Sequence, residues 1–111
     1  MSSKTFLIQS EVLGHGNDEL GELIMSNFLR LLEEGPDKPA SLIFWNTGVK
    51  LGCEGSWALV HLKRLEEQGV EILACSTCLE YFDLTDKLAV GKPTNMVKSI
   101  ATLLHDDIVC L

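Results

Sequence analysis

Val70-Glu71-Ile72-Leu73-Ala74-Cys75-Ser76-Thr77-Cys78-Leu79-Glu80-Tyr81 is the stretch whose reading decides the fold. Residues 70–74 are β-branched or large and run almost unbroken, the pattern of a strand buried on both faces. The character changes at Cys75, where two thiols two residues apart enclose the hydroxyl residues Ser76 and Thr77. A helical turn starting here would present free N–H groups and a dipole that favour a thiolate at Cys75 over a neutral thiol.

Working outward, similar units precede and follow. Thr5–Gln9 reads as a first strand, and the Gly-rich, polar stretch Ser10–Asp18 as a loop, with Asn17 or Asp18 able to cap a helix. Leu20, Leu23, Ile24, Phe28, Leu31 and Leu32 then recur three and four apart, predicting one inward stripe that Gly35-Pro36 ends. A second strand, Ser41–Trp45, runs into the turn Asn46-Thr47-Gly48. The next helix is expected from about Ser56 to Gly69, with Ala58, Leu59, Leu62 and Leu65 inward. Beyond the cysteine turn, Leu88-Ala89-Val90 is read as a short fourth strand. Pro93-Thr94 introduces a last helix packed through Met96, Val97, Ile100, Leu103 and Leu104, and Asp107–Leu111 closes as a fifth strand.

Strands alternate with helices and no hairpin signal intervenes. The expected fold is therefore α/β, three layers, with a mostly parallel five-stranded sheet. In such sheets ligands bind beyond the carboxyl ends of the strands. Four segments collect there: Ser10–Asp18, Asn46–Glu54, Cys75–Tyr81 and Gly91–Asn95.

The 111 residues suit a single domain with its own core, and 46% hydrophobic with 23% charged residues is ordinary for one. A net charge of −7 without a Lys/Arg cluster disfavours nucleic acid and anionic membranes. No apolar run approaches the roughly 20 residues that span a bilayer. Met1-Ser2-Ser3-Lys4 leads straight into a strand and does not read as a signal peptide, so a cytoplasmic, reducing location is expected. Of the four cysteines, Cys53 and Cys110 are expected to be buried structural thiols.

Cys75 and Cys78 admit several chemistries. Zinc needs about four ligands, and His15, His61 and His105 are scattered, so no metal is expected. A thioredoxin-like dithiol would require an antiparallel hairpin that the pattern lacks. There remain a nucleophilic or sulfur-carrying Cys75 with Cys78 as helper or resolving thiol, and an inert pair at a strand–helix junction. Spacing alone does not separate these two. On the first reading Cys75 is the reactive thiol, because it is the first residue after the strand. Leu13-Gly14-His15-Gly16-Asn17-Asp18-Glu19 fails as a dinucleotide fingerprint, since Glu19 stands where a third Gly is needed, and no Walker Lys is present. Around the pair, His15, Asn46, Thr47, Lys50, Ser76, Thr77 and Asn95 are the candidate binding residues, with Lys50 or Lys87 as charge partners for a thiolate. Loop, cap and turn roles explain the same side chains equally well.

The segments Ser10–Gly21, Asn46–Leu51, Gly69–Tyr81 and Asp86–Met96 stand in an order and spacing that resembles a known family, the DsrE-like carboxyl-terminal domain of YedF selenium-metabolism proteins. The resemblance covers nearly the whole chain. It implies a three-layer α/β/α fold and, from the wider DsrE/DsrF-like group, a sulfurtransferase-like activity. In that group a cysteine at the end of the third strand carries sulfur as a persulfide between proteins. Cys75 holds that place. Two features depart from the pattern. The family pair encloses Gly-Thr, whereas Ser76-Thr77 here restricts the backbone beside Cys75. The TusA-like domain with a Cys-Pro-x-Pro motif that usually precedes this one is not in the sequence, so exchange is expected to involve a separate donor or acceptor protein, such as a TusA-like one.

The expectation is thus a cofactor-free sulfur or selenium carrier in which Cys75 forms a transient persulfide. The alternatives are a non-catalytic assembly module or a small-molecule sensor with structural cysteines. A homo-oligomer is expected from the family habit, from Trp45 and Trp57, and from the apolar loop Leu51-Gly52-Cys53.

Overall fold

The computed structural model describes residues 2–111. Strands β1 (Lys4–Ile8), β2 (Ser41–Phe44), β3 (Glu71–Cys75), β4 (Lys92–Thr94) and β5 (Asp107–Cys110) form one sheet in the order β4-β3-β2-β1-β5. Every pairing is parallel, with Phe6 beside Leu42, Ile8 beside Phe44 and Cys75 beside Thr94. The helices are α1 (Asp18–Glu34), α2 (Leu59–Glu67), α3 (Ser76–Tyr81) and α4 (Met96–His105). The chain steps one way from β1 to β4 and then crosses back to β5. Right-handed connections therefore put α1 and α2 on one face and α4 on the other. The α/β/α architecture expected from the alternating pattern is the one observed.

The core lies between the sheet and the first two helices. Met25 and Leu29 of α1 and Leu62 and Leu65 of α2 meet Ile8, Leu42, Phe44, Ile72 and Ala74 from alternate positions along the strands. The Asn17 side chain caps α1 by accepting from the Leu20 N–H, as expected. Gly69, at φ +98°, follows α2 as the sequence pattern requires.

Three expectations about burial are overturned. The apolar stripe read on α1 is largely exposed: Leu20, Leu23, Ile24 and Leu31 face outward, while Phe28 and Leu32 are half-buried. The buried face is Gly21, Met25, Leu29 and Glu33. Its rotation follows from two contacts. A Cβ at Gly21 would press on Val12 and the Leu13 carbonyl, so only glycine lets this turn lie against the preceding loop. At the other end Glu33 is drawn inward by α2. On α4, likewise, Met96, Val97, Ile100 and Leu104 are exposed, and Ser99 is the residue pressed to the sheet. Cys110, expected in the core, is exposed, because β5 is an edge strand beyond the cover of the helices.

Two local shapes also differ. Residues 46–52 form a 3-10 helix, Asn46–Gly52, that folds Leu51, Gly52 and Cys53 into the core. That apolar loop is therefore satisfied within the chain and exposes nothing for a partner copy. The fourth strand is Lys92–Thr94 rather than Leu88–Val90, and Leu88 makes only an isolated antiparallel bridge to Cys53. Gly91, at φ +68°, delays the strand: a Cβ there would collide with the Ile72 carbonyl, so the chain turns tightly onto β3 before pairing begins. Pro93 is tolerated because β4 is an edge.

Glu33 ties α1 to α2. Its Oε1 lies 3.0 Å from His61 Nδ1 and 3.3 Å from Arg64 Nη1. The hydrogen bond with His61 is the largest influence holding its carboxyl below the usual carboxylate value, with Arg64 assisting and desolvation opposing. A carboxylate with a depressed folded-state pKa stabilises the fold above its unfolded value of 4.5, and that contribution is lost as pH falls through the folded value. Glu33→Gln should therefore lower the urea midpoint at neutral pH, with the two proteins converging in acid. Urea titrations at about pH 7 and about pH 3 measure it. A constant difference between the two pH values would refute the ion-pair account.

Candidate functional site

β3 delivers Cys75 to the carboxyl edge of the sheet, and α3 follows without a loop. α3 has only six residues, so its dipole is smaller than a full helix would supply. Cys75 is its cap residue, in extended conformation, and makes no side-chain capping bond. Cys78 follows one turn later, on α3. Ser76 Oγ donates to the Thr94 carbonyl at 2.6 Å, which fastens the start of α3 to β4.

The two thiols differ in access. Cys75 is 6% exposed and packs with the core, whereas half-buried Cys78 lines an open cavity of about 450 Å³ with Asn46, Thr77, Tyr81 and Phe82. The thiol expected from the sequence to be the reactive one, Cys75, is thus the less accessible of the two. The helical turn carries Cys78 outward, while strand geometry holds Cys75 in. Asn46, directly after β2 and Trp45, adopts φ +52°, and its backbone N–H donates to Cys78 Sγ at 3.1 Å. Burial pushes the Cys78 thiol above its ordinary pKa; the Asn46 N–H opposes this, and the Cys75 thiol adds to it.

Of the other candidate residues, Thr77 lines the cavity and Asn46 both lines it and contacts sulfur. Lys50 stands behind the wall, with Nζ 4.6 Å from the centre of the Phe82 ring, a cation–π contact. Thr47 is structural: its Oγ1 accepts from the Glu11 N–H at 3.2 Å and so ties the first loop to the 3-10 helix. Ser76 fastens α3 as described, and Asn95 caps α4 by accepting from the Lys98 N–H at 2.9 Å. His15 is exposed on the first loop and does not line the cavity. Lys87 is exposed and lies 4.0 Å from Glu54, away from the thiols.

Sequence reasoning passed over Tyr81 and Phe82. They form the apolar wall, with rings edge to face at 5.2 Å, and Tyr81 is 83% exposed. Two adjacent aromatics just past a cysteine pair, on a helix too short to bury both, were the available signal. Of the remaining thiols, Cys53 is buried and its Sγ donates to the Val49 carbonyl; desolvation, with Glu54 assisting, raises its pKa. Among the described residues no group of three or more His, Cys, Asp or Glu side chains converges as a metal site, and no helix is long and apolar enough to cross a membrane.

No family model matches the chain, and no curated protein matches it. Solved structures do. The protein of unknown function MTH1491 from Methanobacterium thermoautotrophicum is 19% identical, with a TM-score of 0.67 over 97% of each chain. The ychN protein from E. coli is 16% identical, with a TM-score of 0.71 over the full length of both. At these identities the likeness is one of fold. It agrees with the three-layer α/β/α architecture expected from the sequence.

Proposed function

We propose that this protein is a cysteine-based sulfur or selenium carrier working through Cys75 and Cys78. The observation that carries the reading is the placement of two thiols one helical turn apart at the carboxyl edge of a parallel sheet, one of them open to a cavity. A thiolate of the pair attacks the outer sulfur of a donor persulfide, the donor S–S bond breaks, and the donor leaves as a thiolate. Cys75 holds the resulting persulfide, its outer sulfur returns to Cys78 by the reverse exchange, and an acceptor thiolate, on a separate protein such as a TusA-like one, removes it there. The cavity's open, partly aromatic wall suits such a visiting chain. The test is intact-mass measurement after incubation with cysteine persulfide. A gain of about 32 Da, reversed by excess thiol, is the expected result of sulfane transfer; no gain would leave the pair structural.

We further infer that the carrier is a homo-oligomer. The support is the set of exposed apolar residues on α4, Met96, Val97, Ile100 and Leu104, and the second set on α1 with Trp57 and Val60 beside it. Such contiguous stripes are uncommon on monomers.

A further inference from the structure

We infer that sulfur reaches the pair through Cys78, whose sulfur is held by the backbone N–H of Asn46, and that Cys75 is the inner thiol to which it passes. The inference rests on the carrier reading and adds the order of events and a positioning residue.

Three observations carry it. Cys78 faces the cavity, while Cys75 is 6% exposed and is not among the lining residues. A donor therefore meets Cys78 first. Asn46 is one of two non-glycine residues with positive φ among those described. That conformation costs free energy in most residues, and Asn tolerates it best. Its side-chain Oδ1 accepts from the Thr47 N–H at 2.8 Å, which holds the turn, and the outcome is an N–H aimed at Cys78 Sγ. A residue held in an uncommon conformation to direct a donor at a thiol is a preorganised anion contact. Finally, Cys75 ends β3 and Cys78 lies one helical turn on, so a second exchange stays within one turn of the chain.

The steps balance without an oxidant. Cys78 releases its proton to solvent through the cavity. Its thiolate attacks the outer sulfur of the donor persulfide, the donor S–S bond breaks, and the donor thiolate leaves with the electron pair. The Cys75 thiolate then attacks the outer sulfur on Cys78. The Cys78 S–S bond breaks, and Cys78 takes up the proton that Cys75 gave up. The persulfide ends on the less exposed thiol of the pair. Near Cys78, Cys75 ends β3, Tyr81 lines the same cavity, Lys50 sits on the Phe82 ring behind it, and Glu80 and Asp83 are exposed neighbours in the chain. Asp86 and Lys87, on the short turn Thr85–Lys87 that also packs on α3, are exposed and outside the cavity.

The test uses protein with Cys53→Ser and Cys110→Ser, time-resolved iodoacetamide labelling and peptide mass spectrometry, followed by loading with cysteine persulfide. Cys78 should label at least about tenfold faster than Cys75. Cys78→Ser should load at least about tenfold more slowly, while Cys75→Ser should stop with the added sulfur still on Cys78, seen on the Cys78 peptide. Asn46→Ala should move the pH profile of Cys78 labelling upward, and Asn46→Gly, which accepts the positive φ and keeps the N–H, should restore it. Cys75-first labelling in protein that does take up sulfur would overturn this inference alone. Cys78-first labelling with no uptake would instead overturn the carrier reading, and the transfer step with it. An Asn46→Gly profile that stays with the Ala variant would remove Asn46 from the account.

Discussion

With Cys53 and Cys110 already replaced, Cys75→Ser together with Cys78→Ser should take persulfide uptake to background. Serine keeps the size and polarity of cysteine, but its hydroxyl is neither ionised near neutral pH nor nucleophilic toward sulfur, so the initial rate should fall by at least about a hundredfold. The double replacement should leave the fold intact, since neither thiol makes a disulfide and Cys78 is only half-buried. The Cys53→Ser/Cys110→Ser background matters because Cys110 is exposed and would add adventitious labelling of its own. Cys53 is 3% exposed and lines no cavity with the pair, so it should contribute nothing. Equal uptake by the double variant and its parent, followed by mass spectrometry over a time course, would dismiss the pair as the site.

The second large effect concerns assembly. Ile100→Glu with Leu104→Glu should convert the protein to its 12.3 kDa monomer, whereas the unaltered chain should sediment as a multiple of that mass. Ile100 is 50% and Leu104 76% exposed, so the substitutions leave the monomer's core alone. Fully burying a large aliphatic side chain is worth about 1.5–3 kcal/mol, and a carboxylate in its place adds desolvation cost. Two such changes at each contact should weaken association by at least about a hundredfold, since each 1.4 kcal/mol is a factor of ten. Analytical ultracentrifugation at micromolar protein decides the matter. A wild-type monomer would refute the oligomer, and an unshifted variant would move the contact away from α4. Circular dichroism of the variant should stay unchanged.

Much of the fold was legible because strand and helix periods survive in a short chain. Phe6-Leu7-Ile8, Leu42-Ile43-Phe44 and Ile72-Leu73-Ala74 are each continuous enough to demand cover on both faces, and the segments between them are helical in pattern. The position of the cysteine pair at the carboxyl edge followed from the same alternation. The helix faces were not legible. The periodicity of α1 is shared by two stripes, and the one with more leucines is the one left exposed. What selects the buried stripe is a glycine that admits the neighbouring loop and a glutamate that meets His61 and Arg64, two residues that do not read as core.

The α/β alternation, the parallel sheet and the edge on which Cys75 and Cys78 sit are written in the order of the amino acids, because these depend on hydrophobic period and chain connectivity. Only the tertiary structure decided which thiol opens to the cavity, where Asn46 aims its N–H, and which apolar stripes stay uncovered. Those depend on distances between segments far apart in the chain. Cys78 and Asn46 are 32 residues apart, and packing alone brings sulfur and amide to 3.1 Å.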